Sequence, residues 1–476
     1  MILRIARREV LETVRDRRFR WSAGVIVVLI GASLLSGWDY VARTAGYEDL
    51  VQLAERNRWL NKGDMNPHSA AHYGQYLFKP RLALEAVDPG IVPYSGTSIF
   101  IEPHHQNLPR YKPAADLGTV SRAGQLTVAD TLQLLIPLLI ILSLYSTFTA
   151  EREQGTLRFL LSLGVPPRRL AAGKALGVAI PWIVLLVPAS LAGAFLLAGS
   201  GSSASSSDVA TRSALMAAAY LSYFVLIMLI AIAVSAFVTR SRTALAVLLG
   251  FWFVSGVLAP PLAMNVAAAR HPVPNGFEFR AAIDTDRERL PALVTRIFEV
   301  EKRMLEEYGV ASTTELPLVP SGVALLEDET DNSRIYEKHF SALHATYEQQ
   351  NRLFSLMGFV SPLIPLQSVS MGLAGADYPH LRDFAEAVET YRRDFVRTLN
   401  EDDARNGRMY DAEQAQGLNL YTAGRDLWES IPPFKYNPPD VGWAVRRNVT
   451  SIGVLLLWLL LAATVLPFAL KRLRTD

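Results

Sequence analysis

The chain has 476 residues, long enough for two or three domains, and its net charge of +2 says less than the way its 47 lysines and arginines are distributed. Half of the residues are apolar and 19% are charged, a mixture that fits neither a pure membrane bundle nor a soluble enzyme. The absence of cysteine excludes disulfides, cysteine-ligated zinc, iron–sulfur clusters and thiol catalysis.

Residues 1–20 carry seven arginines and three acids, punctuated by Ile2, Ile5, Val10, Val14 and Phe19. This pattern predicts a basic amphipathic helix at a membrane surface, leading into a first span over 21–38. A signal peptide is the competing reading. Glu9, Glu12 and Asp16 interrupt the basic region and no small-x-small cleavage site follows, so the span is expected to stay as an anchor.

Residues 39–125 form a first water-exposed block rich in Pro, His, Tyr and Asn, with a helix expected over 50–60 and irregular chain or short strands over 89–113. Apolar runs over 126–148 and 175–198 are each long enough to cross a hydrocarbon core of roughly 30 Å. Between them lies 149–174. The polar connector 199–213 is of low complexity. A fourth span over 214–238 ends at the basic turn 239–242. A fifth, 243–269, carries Pro260-Pro261, which should kink or break its far end.

The second block, 270–447, shows three apolar stripes at helical spacing. Leu290, Val294, Ile297, Met304 and Tyr308 mark the first. Tyr336, Phe340, Leu343, Tyr347, Phe354 and Met357 mark the second, and Leu381, Phe384, Val388, Tyr391 and Phe395 the third. Stripes of this kind can bury one another, so a helical bundle is expected. Between the second and third, 358–375 is apolar but interrupted by proline. It reads either as a dip into the membrane interface through Leu363, Ile364 and Leu366 or as a buried connector inside the domain. A last span over 448–470 precedes the basic tail 471–476. The fold class expected is thus an all-α membrane protein: six transmembrane helices, an amphipathic N-terminal helix and a mainly helical extracytoplasmic domain.

Six spans place both termini on one side. The short segments on that side hold 17 of the 47 basic residues in about 60 positions, against 30 in about 280 positions opposite. The positive-inside rule therefore puts the termini in the cytoplasm and both large blocks outside, across a bacterial inner membrane. Arg446-Arg447 are a local exception, beside the interfacial Trp443.

The segment 151–174 reads EREQGTLRFLLSLGVPPRRLAAGK. Glu151, Arg152 and Glu153 form a polar head read as opening a helix. Gly155-Thr156 follows, Leu157, Leu160, Leu161 and Leu163 recur at near-helical spacing, and Pro166-Pro167 is read as stopping that helix. This wording resembles the cytoplasmic coupling segment of ABC-2-type transporter permeases. In that family a glutamate-rich opening leads to a leucine-rich stretch and then to a basic "R-R-L-x-x-G-K", here Arg168 to Lys174. The resemblance implies a permease subunit of an exporter that pairs with a second permease subunit, identical or not, and with two cytoplasmic ATPase subunits. Glu151, Arg152, Glu153, Gly155, Thr156, Leu157, Leu160 and Leu161 would be the coupling residues. The two large blocks depart from the compact family pattern and put the substrate in doubt.

No phosphate-binding G-x-x-x-x-G-K-[ST] is present, so no cofactor is expected in this chain; ATP and Mg would be bound by the partner, and the chain itself is not expected to be catalytic. No nucleic-acid partner is expected; the lipid bilayer is. The apolar runs carry almost no charge, which leaves a buried proton or sodium relay no obvious carrier. His68 and His72 stand at i, i+4, with His104-His105 in the same block, but Pro67 precedes the pair and no zincin glutamate accompanies it. They read as solvated histidines, and no metal site is assigned. The rival from another class is a mechanical signalling subunit, in which a dry centre replaces a polar path lined by Ser143, Ser146, Thr147, Ser222 and Ser235. A membrane-bound enzyme finds no constellation of residues in its favour.

Overall fold

The computed structural model describes residues 1–112, 114, 126–198, 205–407 and 421–473. The end of the first block, most of the glycine–serine part of 199–213 and Arg474 lie outside the described residues. Regular structure among the described residues is helical except for one antiparallel pair, β1 (Gln75–Phe78) and β2 (Ser98–Ile101), registered with Gln75 opposite Ile101. Among the described residues, six helices are long and apolar enough to cross a membrane: Phe19–Leu60, Val128–Glu153, Pro167–Pro188, Ser206–Phe237, Ser241–Arg270 and Val449–Arg472. The protein is an all-α, multi-pass membrane protein, and these helices are spans one to six below.

The N-terminal helix is Ile2–Arg15, separated from span one by Asp16 in extended backbone. It is docked on span three, with Ala6 buried. Gly173 and Gly177 of span three make the seat: a Cβ at Gly173 would stand 2.6 Å from Ile5, and one at Gly177 2.2 Å from Glu9. Small residues four apart let two helix backbones approach this closely.

The first span does not end near residue 38. It continues as one helix, Arg17–Leu60, because no proline interrupts it and its far end is held by Trp59, which is 2% exposed. The prolines of span five do not break it either. A wide π-turn, Phe253–Leu258, precedes Ala259–Arg270, and a matching π-turn, Thr131–Leu135, precedes Pro137 in span two. A π-turn leaves carbonyls without their usual donors. Two nearby side chains supply replacements: Trp252 Nε1 donates to Leu134 O at 3.0 Å, and the Ser361 hydroxyl donates to Ser255 O at 2.6 Å.

The centre of the span bundle is apolar, built on Ile136, Ile140, Leu144, Leu226, Ile227, Ala231 and Leu455. The segment 358–375 belongs to it. Leu363–Ala374 is a helix whose Leu363, Ile364 and Leu366 are fully buried, so they are not membrane-interface contacts; Leu363 and Leu366 join the bundle core. The helix is buried, but against spans four and six and not inside the domain.

The two blocks outside the spans pack into one domain. The expected helices are present as Leu293–Tyr308, Pro320–Leu356 and Tyr378–Asn406, joined by Gly276–Arg287. Their stripes do not close on each other, however. Phe384, Val388, Phe395 and Leu399 pack on Trp59, Ala70, Leu77, Ile99 and Ile101 of the first block and on Trp428. Val300 and Met304 meet Ala324, while Ile283 meets Tyr336 and Phe340, as separate small clusters. The domain is tied to span four through Arg212, 2% exposed. Its guanidinium donates to Asp208 at 2.6 Å, Leu373 O at 3.1 Å and Pro439 O at 2.6 Å.

Candidate functional site

At the end of the bundle that carries both termini, 149–174 folds as two short helices, Thr149–Glu153 and Thr156–Ser162. Glu151 and Glu153 therefore close a helix instead of opening one. The break is Gly155, whose φ of +75° suits glycine, and Gly164 at +77° ends the second helix. Pro167 does not stop a helix. It starts span three, where its missing N–H costs nothing.

Each expected coupling residue has a definite place. Glu151 lies 3.0 Å from Lys174 Nζ, which also stands 3.0 Å from Glu9 of the N-terminal helix. Arg152 donates to Val238 O at 2.6 Å and Ala236 O at 3.4 Å. Glu153 accepts from the Ser241 N–H at 2.8 Å and its hydroxyl at 2.9 Å, capping span five. The Thr156 hydroxyl donates to Glu151 O at 3.2 Å. Leu157 is buried at 4% exposure in the bundle core, with Leu160 and Leu161 packed beside it, whereas Phe159 and Leu163 are each 64% exposed. The segment thus touches the N-terminal helix and spans three, four and five, and presents two bare apolar side chains.

At the opposite end lies a cavity of about 880 Å³ between spans two and five and the helices of the domain, its wall including Asp130, Met264, Tyr347 and Arg382. A buried polar chain forms its floor. Gln367 donates to Gln133 at 3.2 Å, Gln133 to Tyr220 at 3.0 Å, and Tyr220 shares a hydrogen bond of 3.0 Å with Ser370, which donates to Asp88. Burial pushes the Asp88 carboxyl up to about 6, against the hydrogen bonds from Ser370 and the Gly90 N–H. Asp130 is the one acid within 126–148, and it is engaged in a capping box with Thr127. No sequence signal announces this site, because its residues come from seven separate segments.

Four of the five serines and threonines considered for a polar path make hydrogen bonds within the bundle. Ser143, Thr147 and Ser222 donate to carbonyls of their own helices, and Ser235 accepts from the Phe148 N–H.

The histidines, expected to be dispersed in solvent, converge. His68 Nε2 lies 3.2 Å from His72 Nε2 and 3.4 Å from His104 Nε2. Burial pushes His68 down to about 4. Burial also opposes charge on His104, yet Asp328 and Glu329 outweigh it and raise that group to about 9. Glu329 is held down to about 2: burial works the other way, but His104 and Arg392 prevail. His105 is directed elsewhere, 2.7 Å from the Tyr336 hydroxyl.

Fold and sites thus define a multi-pass helical membrane protein with a large domain at one end. Residues 295–437, which span most of that domain's helices, match the family described as "Domain of unknown function (DUF3526)". No curated protein matches the chain.

Proposed function

We propose that the chain is the membrane-spanning permease subunit of an ABC-2-type exporter, driven by ATP hydrolysed on a separate cytoplasmic ATPase. The observation that carries this reading is the build of 149–174. Two exposed apolar side chains, Phe159 and Leu163, sit on a short helix between two left-handed glycines. The same segment is pinned by ion pair and cap to the N-terminal helix and to spans three and five. A push on that helix would be delivered to several elements at once. In this reading the termini are cytoplasmic, the domain is extracytoplasmic, and a second membrane subunit covers span five, of which only 17% is buried within the chain.

One pair of observations favours the alternative use of the same push, mechanotransmission without a transported substrate. The bundle centre is packed with aliphatic side chains, and the Arg212 anchor locks span four to the domain, so span movement would be handed to the domain. Transport would instead require a path between two membrane subunits.

The test is Phe159→Asp combined with Leu163→Asp. Both side chains are exposed, so insertion and melting temperature should be unchanged, while co-purification of the partner P-loop ATPase that this reading requires, and its stimulated hydrolysis, should be lost. Wild-type levels of both would remove the segment from any coupling role.

A further inference from the structure

We propose that His68, His72 and His104 form a binding site for a zinc-type divalent transition cation, with an open fourth position for water. Tetrahedral zinc with nitrogen ligands at about 2.0–2.1 Å requires its ligand atoms to stand roughly 3.3 Å apart. The two closest pairs of Nε2 atoms lie at 3.2 and 3.4 Å, and all three ligand atoms fall within 4.8 Å of one another.

The surroundings complete a second sphere. Metal-bound imidazoles characteristically donate the other ring N–H to a carboxylate or amide oxygen, which fixes the tautomer and aims the lone pair at the metal. His68 Nδ1 lies 2.9 Å from Asn400 Oδ1. His104 Nδ1 stands 3.2 Å from Asp328 and 3.3 Å from Glu329. The Asn400 oxygen at His68 Nδ1 leaves His68 Nε2 free to serve as a ligand, and the carboxylates at ion-pair distance from His104 Nδ1 offset the charge that a cation would bring.

Backbone geometry supplies an independent observation. His104 has φ +62°, in the left-handed region that few non-glycine residues adopt, histidine more often than most. It follows Pro103 in the turn closed by the Glu102–His105 bridge, at the position where such a turn favours glycine or asparagine. The Glu329 carboxylate holds this turn by accepting the His104 N–H at 2.8 Å. Strain of this kind persists where the surroundings enforce it, and here it aims the His104 ring at His68 and His72.

The bound cation would staple Pro67–Ala71 and the 102–105 turn to the helices Pro320–Leu356 and Tyr378–Asn406, which carry the second-sphere residues. Glu329 also pairs with Arg392, a residue of the large cavity's wall, so the site borders that cavity through one side chain. This inference is independent of any ATPase.

The experiment uses the full chain in detergent, without a polyhistidine tag and stripped by chelator. Cobalt(II) is titrated and followed by its visible ligand-field absorption, and zinc(II) is then added in competition. One cobalt per chain with the intense absorption of a tetrahedral site, displaced by zinc, is expected. His72→Ala, at an exposed side chain where the fold is not at stake, should weaken zinc roughly 100-fold or more, beyond the 10–100-fold that losing an outer-sphere partner costs and that Asn400→Ala should show. His104→Gly should abolish the cobalt spectrum while the metal-free melting temperature stays close to wild type, because glycine adopts φ +62° without strain and keeps the N–H that Glu329 accepts. His271→Ala should bind as wild type. Failure to bind one metal per chain, unchanged affinity in His72→Ala, or an equal loss in His271→Ala would each overturn the site.

Discussion

Glu151 and Lys174, the two ends of the segment that sets this chain apart, meet in an ion pair at 3.0 Å. The acidic opening and the basic close of 151–174 therefore complete each other inside the chain, and Lys174 carries the N-terminal helix as well through Glu9. Both carboxylates are about one-fifth exposed and the lysine one-tenth. The charges lie at the edge of water, where they can be rearranged by a partner that competes for either end.

Lys174→Met should undock the N-terminal helix. Breaking one partner of a fully buried pair costs about 3–5 kcal/mol. Partial exposure of both acids lowers the expected loss to about 2 kcal/mol. The N-terminal helix, no longer tethered at Glu9, should become sensitive to protease at Arg7 and Arg8 with the spans still inserted. Unchanged proteolysis and melting would show that the Gly173–Gly177 seat holds the helix without the charge.

Trp59→Ala should destabilise the domain by roughly 3–5 kcal/mol, as for other buried tryptophans. The indole packs against Trp428 with ring centroids 5.4 Å apart and donates to Trp428 O at 3.0 Å. By the same reasoning a fragment limited to 270–447 should fail to fold cooperatively, since six of the fifteen buried residues in the core around Phe384 and Phe395 come from positions before 102. A sharp thermal transition in that fragment, read by circular dichroism, would show that the blocks are independent.

Much of this was legible because it depends on local periodicity. The spans, the stripe over 381–395 and the basic N-terminal helix each announce themselves in one stretch of chain. Non-local relations did not. Nothing near Trp59 says that its partner is Trp428, and nothing near His68 says that a turn at His104 will deliver a third ring. Proline and glycine misled where their roles depend on position: Pro167 opens span three while Gly164, two residues upstream of the proline pair, ends the preceding helix. Glu153 looked free for a partner because a cap on Ser241 is invisible without the fold.

Asp88 should give the stability a distinctive pH dependence. Its folded value of about 6 lies above the ordinary unfolded carboxyl near 3.9 because burial penalises the charge more than Ser370 and the Gly90 N–H reward it. The native state then binds more protons in that window, so this group's contribution falls as pH rises from about 4 to 6 and is level above. About two units correspond to a loss on the order of 3 kcal/mol. Asp88→Asn should remove this fall and leave the protein at least as stable at pH 7, measured by melting temperature in detergent across the range. An unaltered pH profile would mean that the polar chain Gln133–Tyr220–Ser370 admits enough water to keep Asp88 ionised.

The direction of insertion follows from charge, and the absence of native cysteine makes it simple to read. The turn at 239–242 and the coupling segment share one end of the bundle, since Glu153 caps Ser241; the loop at 309–315 belongs to the domain at the other end. Thr239 and Thr314 are both exposed, so a single cysteine at either place should leave the fold intact. By the positive-inside rule, the excess of lysine and arginine beside the N-terminal helix, the coupling segment, the 239–242 turn and the C-terminal tail predicts that this end faces the cytoplasm. In intact cells a membrane-impermeant thiol reagent should therefore label Thr314→Cys, and Thr239→Cys should react only after the membrane is opened. Labelling of Thr239→Cys alone in intact cells would invert the protein, set the domain in the cytoplasm and leave 149–174 out of reach of any cytoplasmic ATPase.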